Sequence, residues 1–266
     1  MGATRVSYED LDLKAVLFDV TDHVATITLN RPDKLNAVNR VMAEEVAGLW
    51  GVVRETDDIH AAVVRAAGER AFSTGLDRTS SRWWADQNIW NQEDPGIYLS
   101  AKSHKVWKPV IAAVNGICAG GAQYFINEAD IVICSESATF FDPHANIGIV
   151  SALEPSGMLA RGVPIGDVLR WALMGNEERI GAQTALRIGL VSEVVAPDGL
   201  WRRAAQLAGR IAARSPTGVQ GTVRAIWEAR DLPPTLASQR GMAYTHIGND
   251  YVNPPPLMPN DAPEIR

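Results

Sequence analysis

Residues 109–122 read PVIAAVNGICAGGA, and this stretch decides how the chain is expected to fold. Its apolar run Val110–Val114 suits a short buried strand. The glycine-rich segment 116–122 then predicts a tight turn that leads into a helix over about residues 120–128. Because glycine allows close backbone approach, N–H groups at such a turn can point into a cavity, and a helix N-terminus favours an anion there.

A second glycine turn, AFSTGLD at residues 71–77, follows the apolar strand candidate Ala61–Ala66. Two backbone N–H groups that converge from such turns would form an oxyanion hole. Taken alone, each turn is better explained as a tight strand-to-helix connection. A nucleotide-binding loop is disfavoured, because neither segment has G-x-G-x-x-G or G-x-x-x-x-G-K-[ST] spacing.

The rest of the pattern predicts a mixed, layered α/β fold. Two strands over 15–20 and 23–29, separated by Thr21 and Asp22, form a hairpin. Another strand covers 131–134, and residues 78–108 predict a helical loop followed by a helix. Beyond residue 151 the chain reads as mainly helical, with a Pro-rich tail at its end. Apolar residues at helical spacing predict three further helices: Met42, Val46, Leu49, Trp50 and Val53; Leu200, Ala204, Leu207, Ala208 and Ile211; Val219, Val223, Ile226 and Trp227.

Composition excludes several classes of protein. The chain has 266 residues with 46% apolar and 21% charged residues, which is ordinary globular usage. Its net charge of −6 argues against a general nucleic-acid or anionic-membrane binder. Cys118 and Cys134 lie in apolar stretches without metal-ligand spacing, so we expect reduced cysteines, no metal site and a cytoplasmic protein.

Several segments in order resemble the crotonase, or enoyl-CoA hydratase/isomerase, superfamily. They span much of the chain, which makes the resemblance specific. The segments are LNRP (29–32), LNA (35–37), AFSTGLD (71–77), PVIAAVNG (109–116), the pair Gly120 and Gly121, ATF (138–140) and ALRIGLVSEV (185–194).

This resemblance implies a fold, an assembly and a substrate class. The fold would be a crotonase-like spiral of ββα units over residues 1–195, followed by a helical trimerisation region at 196–253 and the Pro-rich tail at 254–266. The protein would form homotrimers or homohexamers and bind an acyl-CoA thioester without a separate cofactor. The oxyanion-hole donors would be the backbone N–H groups of Leu76 and Gly121, whose function does not depend on the side chain.

The acid and base positions depart from the family. Family hydratases carry two glutamates, and the matching positions here are Tyr124 and His144, which keep the spacing of 20 residues. Histidine titrates near pH 6.5, so at this family-matched position His144 is the leading catalytic candidate, or else a histidine hydrogen-bonded within a loop. Tyr124 is interpreted either as an orienting hydroxyl or weak acid, or as a packed core aromatic. Glu154 is a third catalytic candidate, or else a carboxylate that stabilises a helix N-terminus.

Substrate contacts are predicted from basic and aromatic residues. Arg31 and Lys34 lie in a loop that matches one near the nucleotide end of CoA in the family, and Arg78 follows the first oxyanion turn. Trp83 and Trp84 would line the acyl pocket or pack against a helix.

Three functions follow from these residues. The leading one is an enoyl-CoA hydratase/isomerase-family enzyme, a lyase or isomerase of fatty acid metabolism, that stabilises an enolate. The segment from residue 137 to 149 with His144 also resembles crotonase-fold hydrolases that cleave a carbon–carbon bond of a β-diketone. The absence of both glutamates motivates a third hypothesis, a catalytically silent acyl-CoA binder or assembly subunit.

Overall fold

The structure, a computed structural model, describes residues 11–80, 83, 88–247 and 264–265. Its strands are β1 (Val16–Thr21), β2 (Val24–Leu29), β3 (Ala61–Ala66), β4 (Ala71–Ser73), β5 (Val110–Val114), β6 (Ile117–Ala119), β7 (Ile131–Ser135), β8 (Thr139–Phe141), β9 (Ile180–Gly181) and β10 (Glu193–Val195). Its α-helices are α1 (Arg40–Glu55), α2 (Gln123–Asn127), α3 (Leu153–Ala160), α4 (Ile165–Met174), α5 (Ala182–Arg187), α6 (Leu200–Ala212), α7 (Pro216–Ala229) and α8 (Pro234–Thr245).

The strands form two sheets. The larger sheet has the order β1-β2-β3-β5-β7-β10, and all its pairs except the β1–β2 hairpin are parallel. The smaller sheet has the order β4-β6-β8-β9, and β4, β6 and β8 run parallel. Buried parallel strands read as continuous apolar runs, which is why β3 and β5 were visible in the sequence.

The N-terminal hairpin forms as predicted, but its turn lies one residue later. Asp22 and His23 both have positive φ, at 49° and 65°. Two successive positive φ values are typical of the two-residue turn that matches strand twist, and aspartate and histidine tolerate this conformation better than most residues. Thr21 therefore remains in β1, paired with Val24.

Helix α1 covers one face of the larger sheet. The Asn39 side chain caps it by accepting a hydrogen bond from Met42 N at 3.0 Å. The predicted apolar stripe is fully buried, and each large side chain in it contributes about 1.5–3 kcal/mol by burial. Trp50 also donates from Nε1 to the Leu99 carbonyl at 3.1 Å, which ties α1 to the loop that precedes β5.

Helix α6 covers the other face of the same sheet. Its buried residues Leu200, Ala204, Ala208 and Ala212 form a second core with β3, β5 and β7. The small alanines let the helix approach the strands closely. The division of the chain at residues 195 and 253 stays a prediction, and the predicted tail lies outside the described residues apart from Glu264 and Ile265.

The prediction for residues 78–108 was wrong in its second part. In place of an α-helix, the described part of this range contains two short 3₁₀ helices, Ile89–Asn91 and Pro95–Tyr98. Asp94 caps the second by accepting from Gly96 N at 2.9 Å, and Pro95 occupies its first turn. Chain turns follow at residues 101–105, where Lys105 has a φ of 58°. The left-handed conformation of Lys105 cannot continue a right-handed helix, which limits helix length here.

Candidate active site

Three loops meet at one edge of the smaller sheet. Strands β4, β6 and β8 are parallel neighbours, with β6 in the middle. Parallel strands end at the same edge, and side chains and N–H groups in the loops beyond them can share one site there. The loop after β4 carries Leu76, the loop after β6 carries Gly121, and the loop after β8 carries His144. The fold thus brings together the three positions that were far apart in the sequence.

The two glycine turns touch each other through their backbones. A methyl group on Gly75 would lie 2.7 Å from the Ala119 oxygen and 2.8 Å from the Gly121 nitrogen, and one on Gly121 would lie 3.5 Å from the Leu76 nitrogen. Gly75 also has a φ of 80°, which side chains rarely adopt. Only glycine at position 75 therefore allows these N–H groups to come this close.

The hydrogen bonds around the two proposed donors bear on whether their N–H groups are available. Val38 donates to the Gly75 carbonyl and accepts from Asp77 N, each at 2.8 Å. In extended backbone the N–H of the residue between them, Leu76, faces the opposite side. Gly121 lies in the first turn of the 3₁₀ helix Gly120–Ala122, where N–H groups have no acceptor within the helix. Backbone N–H groups outside the local hydrogen-bond pattern are the kind of donor that an oxyanion hole requires.

The His144 imidazole lies beside the second glycine turn. A methyl group on Gly120 would be 4.0 Å from its Cε1 atom. The ring Nδ1 is 2.5 Å from Asp142 Oδ1, and the Asp142 side chain has no exposed surface. Because a carboxylate only accepts hydrogen bonds, Nδ1 carries the proton and Nε2 is left as the basic nitrogen of the neutral ring.

A turn holds this pair together. Asp142 Oδ1 also accepts from His144 N at 3.2 Å, and His144 begins the 3₁₀ helix His144–Ile147. Pro143, which lies between the two residues, has helical backbone angles and so places the contact in a turn. Asp142 Oδ2 has no partner within the described part of the chain. The hydrogen bond to Asp142 raises the pKa of His144 above 6.5, although partial burial of the ring lowers it.

Glu154 lies in the first turn of α3 and is buried, with 6% of its surface exposed. This burial raises the pKa of its carboxyl group, while the positive charge of His144 opposes the shift. The two groups are thus near enough to influence each other's protonation. A buried carboxyl with a raised pKa, within electrostatic range of a histidine, is suited to general acid chemistry.

Tyr124 lies in α2 and donates its hydroxyl hydrogen to Asp94 Oδ1 at 2.8 Å. Burial is the main cause that raises its pKa, and the nearby Glu154 and Asp94 charges add to this. The phenol is therefore neutral, and its proton is directed to Asp94. This geometry favours the orienting hydroxyl over the weak acid. Sequence reasoning missed Asp94, whose only signal was its position as a cap before Pro95.

The predicted substrate-binding residues have different surroundings. Arg31 is held internally: it donates to the Ala37 carbonyl and is 3.0 Å from Asp77 Oδ2. Its guanidinium therefore braces the first glycine turn. Lys34 and Arg78 are exposed and have no ion pair with any residue that the structure describes. Trp83 packs edge-on against Tyr98, with ring centroids 5.1 Å apart, and Trp84 lies outside the described residues.

We expect Asp142→Asn to lower the pKa of His144. The substitution removes the charged acceptor, the largest cause that raises the pKa, and leaves the burial that lowers it. The wild-type ring should lose its proton above pH 6.5 and the variant ring at lower pH. Ring ¹H and ¹⁵N NMR titration measures this, with the other histidines of the chain as internal references. An unchanged titration would contradict the assigned contact.

Comparison with known proteins gives the family of this chain. The family model for enoyl-CoA hydratase/isomerase matches residues 19–247. The chain belongs to the enoyl-CoA hydratase/isomerase family. It is 33% identical over 232 residues to the (E)-benzylidenesuccinyl-CoA hydratase of Thauera aromatica, with 87% of this chain and 88% of the relative covered. It is 32% identical to the short-chain-enoyl-CoA hydratase of Clostridium acetobutylicum, with 81% and 82% covered.

A solved structure of a family member also matches this chain in fold. The crystal structure of an enoyl-CoA hydratase/isomerase from Mycobacterium paratuberculosis has a TM-score of 0.79 and 37% sequence identity, and the match covers 87% of this chain and 88% of that one. These findings confirm the predicted family, the crotonase-like α/β fold and the prediction of a hydratase/isomerase-family enzyme. None of the helices in the described ranges is long and apolar enough to cross a membrane.

Proposed function

We propose that this family member adds water to an enoyl-CoA thioester. The observation that carries the proposal is the meeting of Leu76, Gly121 and His144 at the ends of three adjacent parallel strands. A donor pair for a developing oxyanion and a base beside it are the parts that such an addition requires. The names of the relatives, which are hydratases of CoA thioesters, support the substrate class.

The proposed reaction uses His144 as base and Glu154 as acid. Nε2 of His144 removes a proton from water as the water oxygen bonds to the β-carbon. The electron pair of the double bond moves toward the thioester carbonyl, whose oxygen accepts hydrogen bonds from Leu76 N and Gly121 N. Glu154 then protonates the α-carbon, and the proton on His144 returns to Glu154 through solvent. Each oxyanion donor contributes a factor of about 10²–10³ in kcat.

This proposal keeps one of the two family positions and moves the other. Family hydratases carry glutamates at the positions that match 124 and 144, and here the proposed groups are a histidine at 144 and a buried carboxyl at 154. Lys34 and Arg78 are the exposed cations proposed to meet the CoA phosphates. We propose no separate cofactor, since the protein supplies base, acid and oxyanion donors itself, and we retain a cytoplasmic location as a prediction.

The Asp142–His144 pair also supports a second candidate, hydrolysis of a carbon–carbon bond in a β-diketone. Here His144 would activate water for attack on a ketone carbonyl. The tetrahedral oxyanion would collapse with cleavage of the adjacent carbon–carbon bond, and Glu154 would protonate the departing enolate carbon. The Asp142 contact at 2.5 Å, which fixes Nε2 as the basic nitrogen, is the observation that favours this candidate.

Product analysis in H₂¹⁸O separates these functions. The purified protein is incubated with a series of enoyl-CoA thioesters and with cyclic β-diketones, and mass spectrometry follows the products. A hydroxyacyl-CoA with one ¹⁸O supports hydration, and a labelled keto acid without CoA supports the second candidate. Binding of CoA thioesters without any turnover would instead favour the silent binder.

We further propose a homotrimer or homohexamer. Helix α4 exposes three large apolar side chains on one face, with Ile165 66%, Leu169 51% and Leu173 70% exposed. Apolar patches of this kind are typical of surfaces covered by another subunit. We expect light scattering to give the mass of a trimer or hexamer of the 28.8 kDa chain, and Leu169→Glu to lower that mass. A monomeric wild type would contradict this.

A further inference from the structure

Segment 175–181 contacts the chain on both sides of the turn that carries His144. On the side where the chain enters the turn, β9 pairs antiparallel with β8. The Arg179 guanidinium lies over the Phe141 ring, 4.3 Å from its centroid, and Phe141 is the last residue of β8. The start of the turn is therefore held by backbone pairing and by a cation–π contact.

The far side of the turn is held by Asn146. Its Oδ1 accepts a hydrogen bond from the backbone N–H of Asn176 at 2.6 Å. Gly175 makes room for this side chain, because a methyl group at position 175 would overlap the Asn146 amide. Gly175 also has a φ of 60°, which residues with side chains rarely adopt. The contact thus combines a side-chain acceptor at 146 with a glycine that lets it approach.

Asn146 and His144 belong to one hydrogen-bonded turn. Both lie in the 3₁₀ helix His144–Ile147, and Asn146 N donates to the Pro143 carbonyl at 3.2 Å. The contact between the imidazole and Asp142 lies inside this turn, between the two points that are held. A displacement of the 3₁₀ helix would therefore move the imidazole relative to the Asp142 carboxylate.

We propose that Asn146 is a positioning residue for His144, because it ties the turn that carries the imidazole to segment 175–181. The inference rests on the proposed role of His144 as base and extends it to a residue that does not touch the reacting atoms. Asp142 orients the ring, and Asn146 fixes the backbone that carries the ring. A base must meet its water in a narrow geometry, and a misplacement of about 1 Å can cost about 10² in rate.

Asn146→Ala tests the proposal because it removes the acceptor. We expect kcat on the substrate found by product analysis to fall by about 10–10², with little change in KM. The His144 ring should lose its proton at lower pH than in wild type, since the hydrogen bond to Asp142 is the largest cause that raises this pKa. The charges of Asp142 and Glu154, which also act on the ring, are unchanged by the substitution. Ring NMR titration and steady-state kinetics measure the two effects.

Two further variants separate positioning from loss of an asparagine as such. Asn146→Asp keeps an Oδ1 acceptor for Asn176 N, and its negative charge favours the charged imidazole. His144 should therefore not titrate below wild type, and kcat should stay closer to wild type than in Asn146→Ala. Asn176→Ala removes an exposed side chain at the same contact but keeps the backbone N–H that donates, so it should change neither kcat nor the titration.

A purely structural contact would change only the melting temperature. Wild-type kcat and wild-type titration of His144 in Asn146→Ala, or an equal loss of kcat in Asn176→Ala, would overturn the positioning role. The NMR titration needs no substrate. A wild type that hydrates no enoyl-CoA would therefore refute the proposed function and leave this test of Asn146 intact.

Discussion

His144→Gln is expected to reduce kcat by about 10²–10⁴, the usual contribution of a general base. The amide cannot take a proton from water, while the Leu76 and Gly121 N–H groups and the cationic surface residues are unchanged. KM for the thioester should therefore change little. Steady-state kinetics on the substrate found by product analysis measures both constants, and circular dichroism checks that the fold is retained.

A matched substitution controls for loss of a histidine as such. His23 lies at the hairpin turn, where its Nδ1 is 2.9 Å from the Asp58 carbonyl, and asparagine tolerates its positive φ of 65°. His23→Asn should keep wild-type kinetics. If His144→Gln kept kcat within a factor of about three, far below the general-base contribution, His144 would not be the base.

Gly75→Ala is expected to have the second large effect, because it acts on the fold and on the oxyanion hole together. The added methyl group would lie 2.7–2.8 Å from backbone atoms of Ala119 and Gly121, which cannot rotate away as a side chain could. Strain at a φ of 80° adds about 1–3 kcal/mol to the cost. Separating the two turns displaces one donor and should lower kcat by about 10²–10³.

Gly48→Ala provides the contrast. Gly48 is exposed within α1, and a methyl group there would meet nothing within 4 Å. This variant should be more stable than wild type by about 0.5–1 kcal/mol, since alanine suits a helix interior better than glycine. Urea unfolding compares the three proteins. If Gly75→Ala proved as stable and active as wild type, the close backbone contact between the turns would be wrong.

Local pattern was sufficient for the elements with strong periodicity. The strands Ala61–Ala66 and Val110–Val114 were predicted with their observed bounds, since fully buried parallel strands are continuous apolar runs. The stripe of α1 was likewise visible at helical spacing. The structure of residues 78–108 could not be predicted, because the aromatic, acidic and proline residues there show no periodic spacing. Capping by Asp94 sets the 3₁₀ turn that is observed.

The sequence by itself indicated the family, the two glycine turns and the candidate residues Tyr124, His144 and Glu154, because these depend on motifs that are local in the chain. Tertiary structure alone decided two of the partners: Asp94 for Tyr124 and Asp77 for Arg31. Tyr124 and Asp94 are 30 residues apart and Arg31 and Asp77 are 46 apart, so each pair meets only when strands and loops pack together. Protonation depends on burial and neighbouring charge, which are properties of that packing. The candidate base His144 was thus visible in the sequence, whereas the tautomer of its ring and the burial of Glu154 were not.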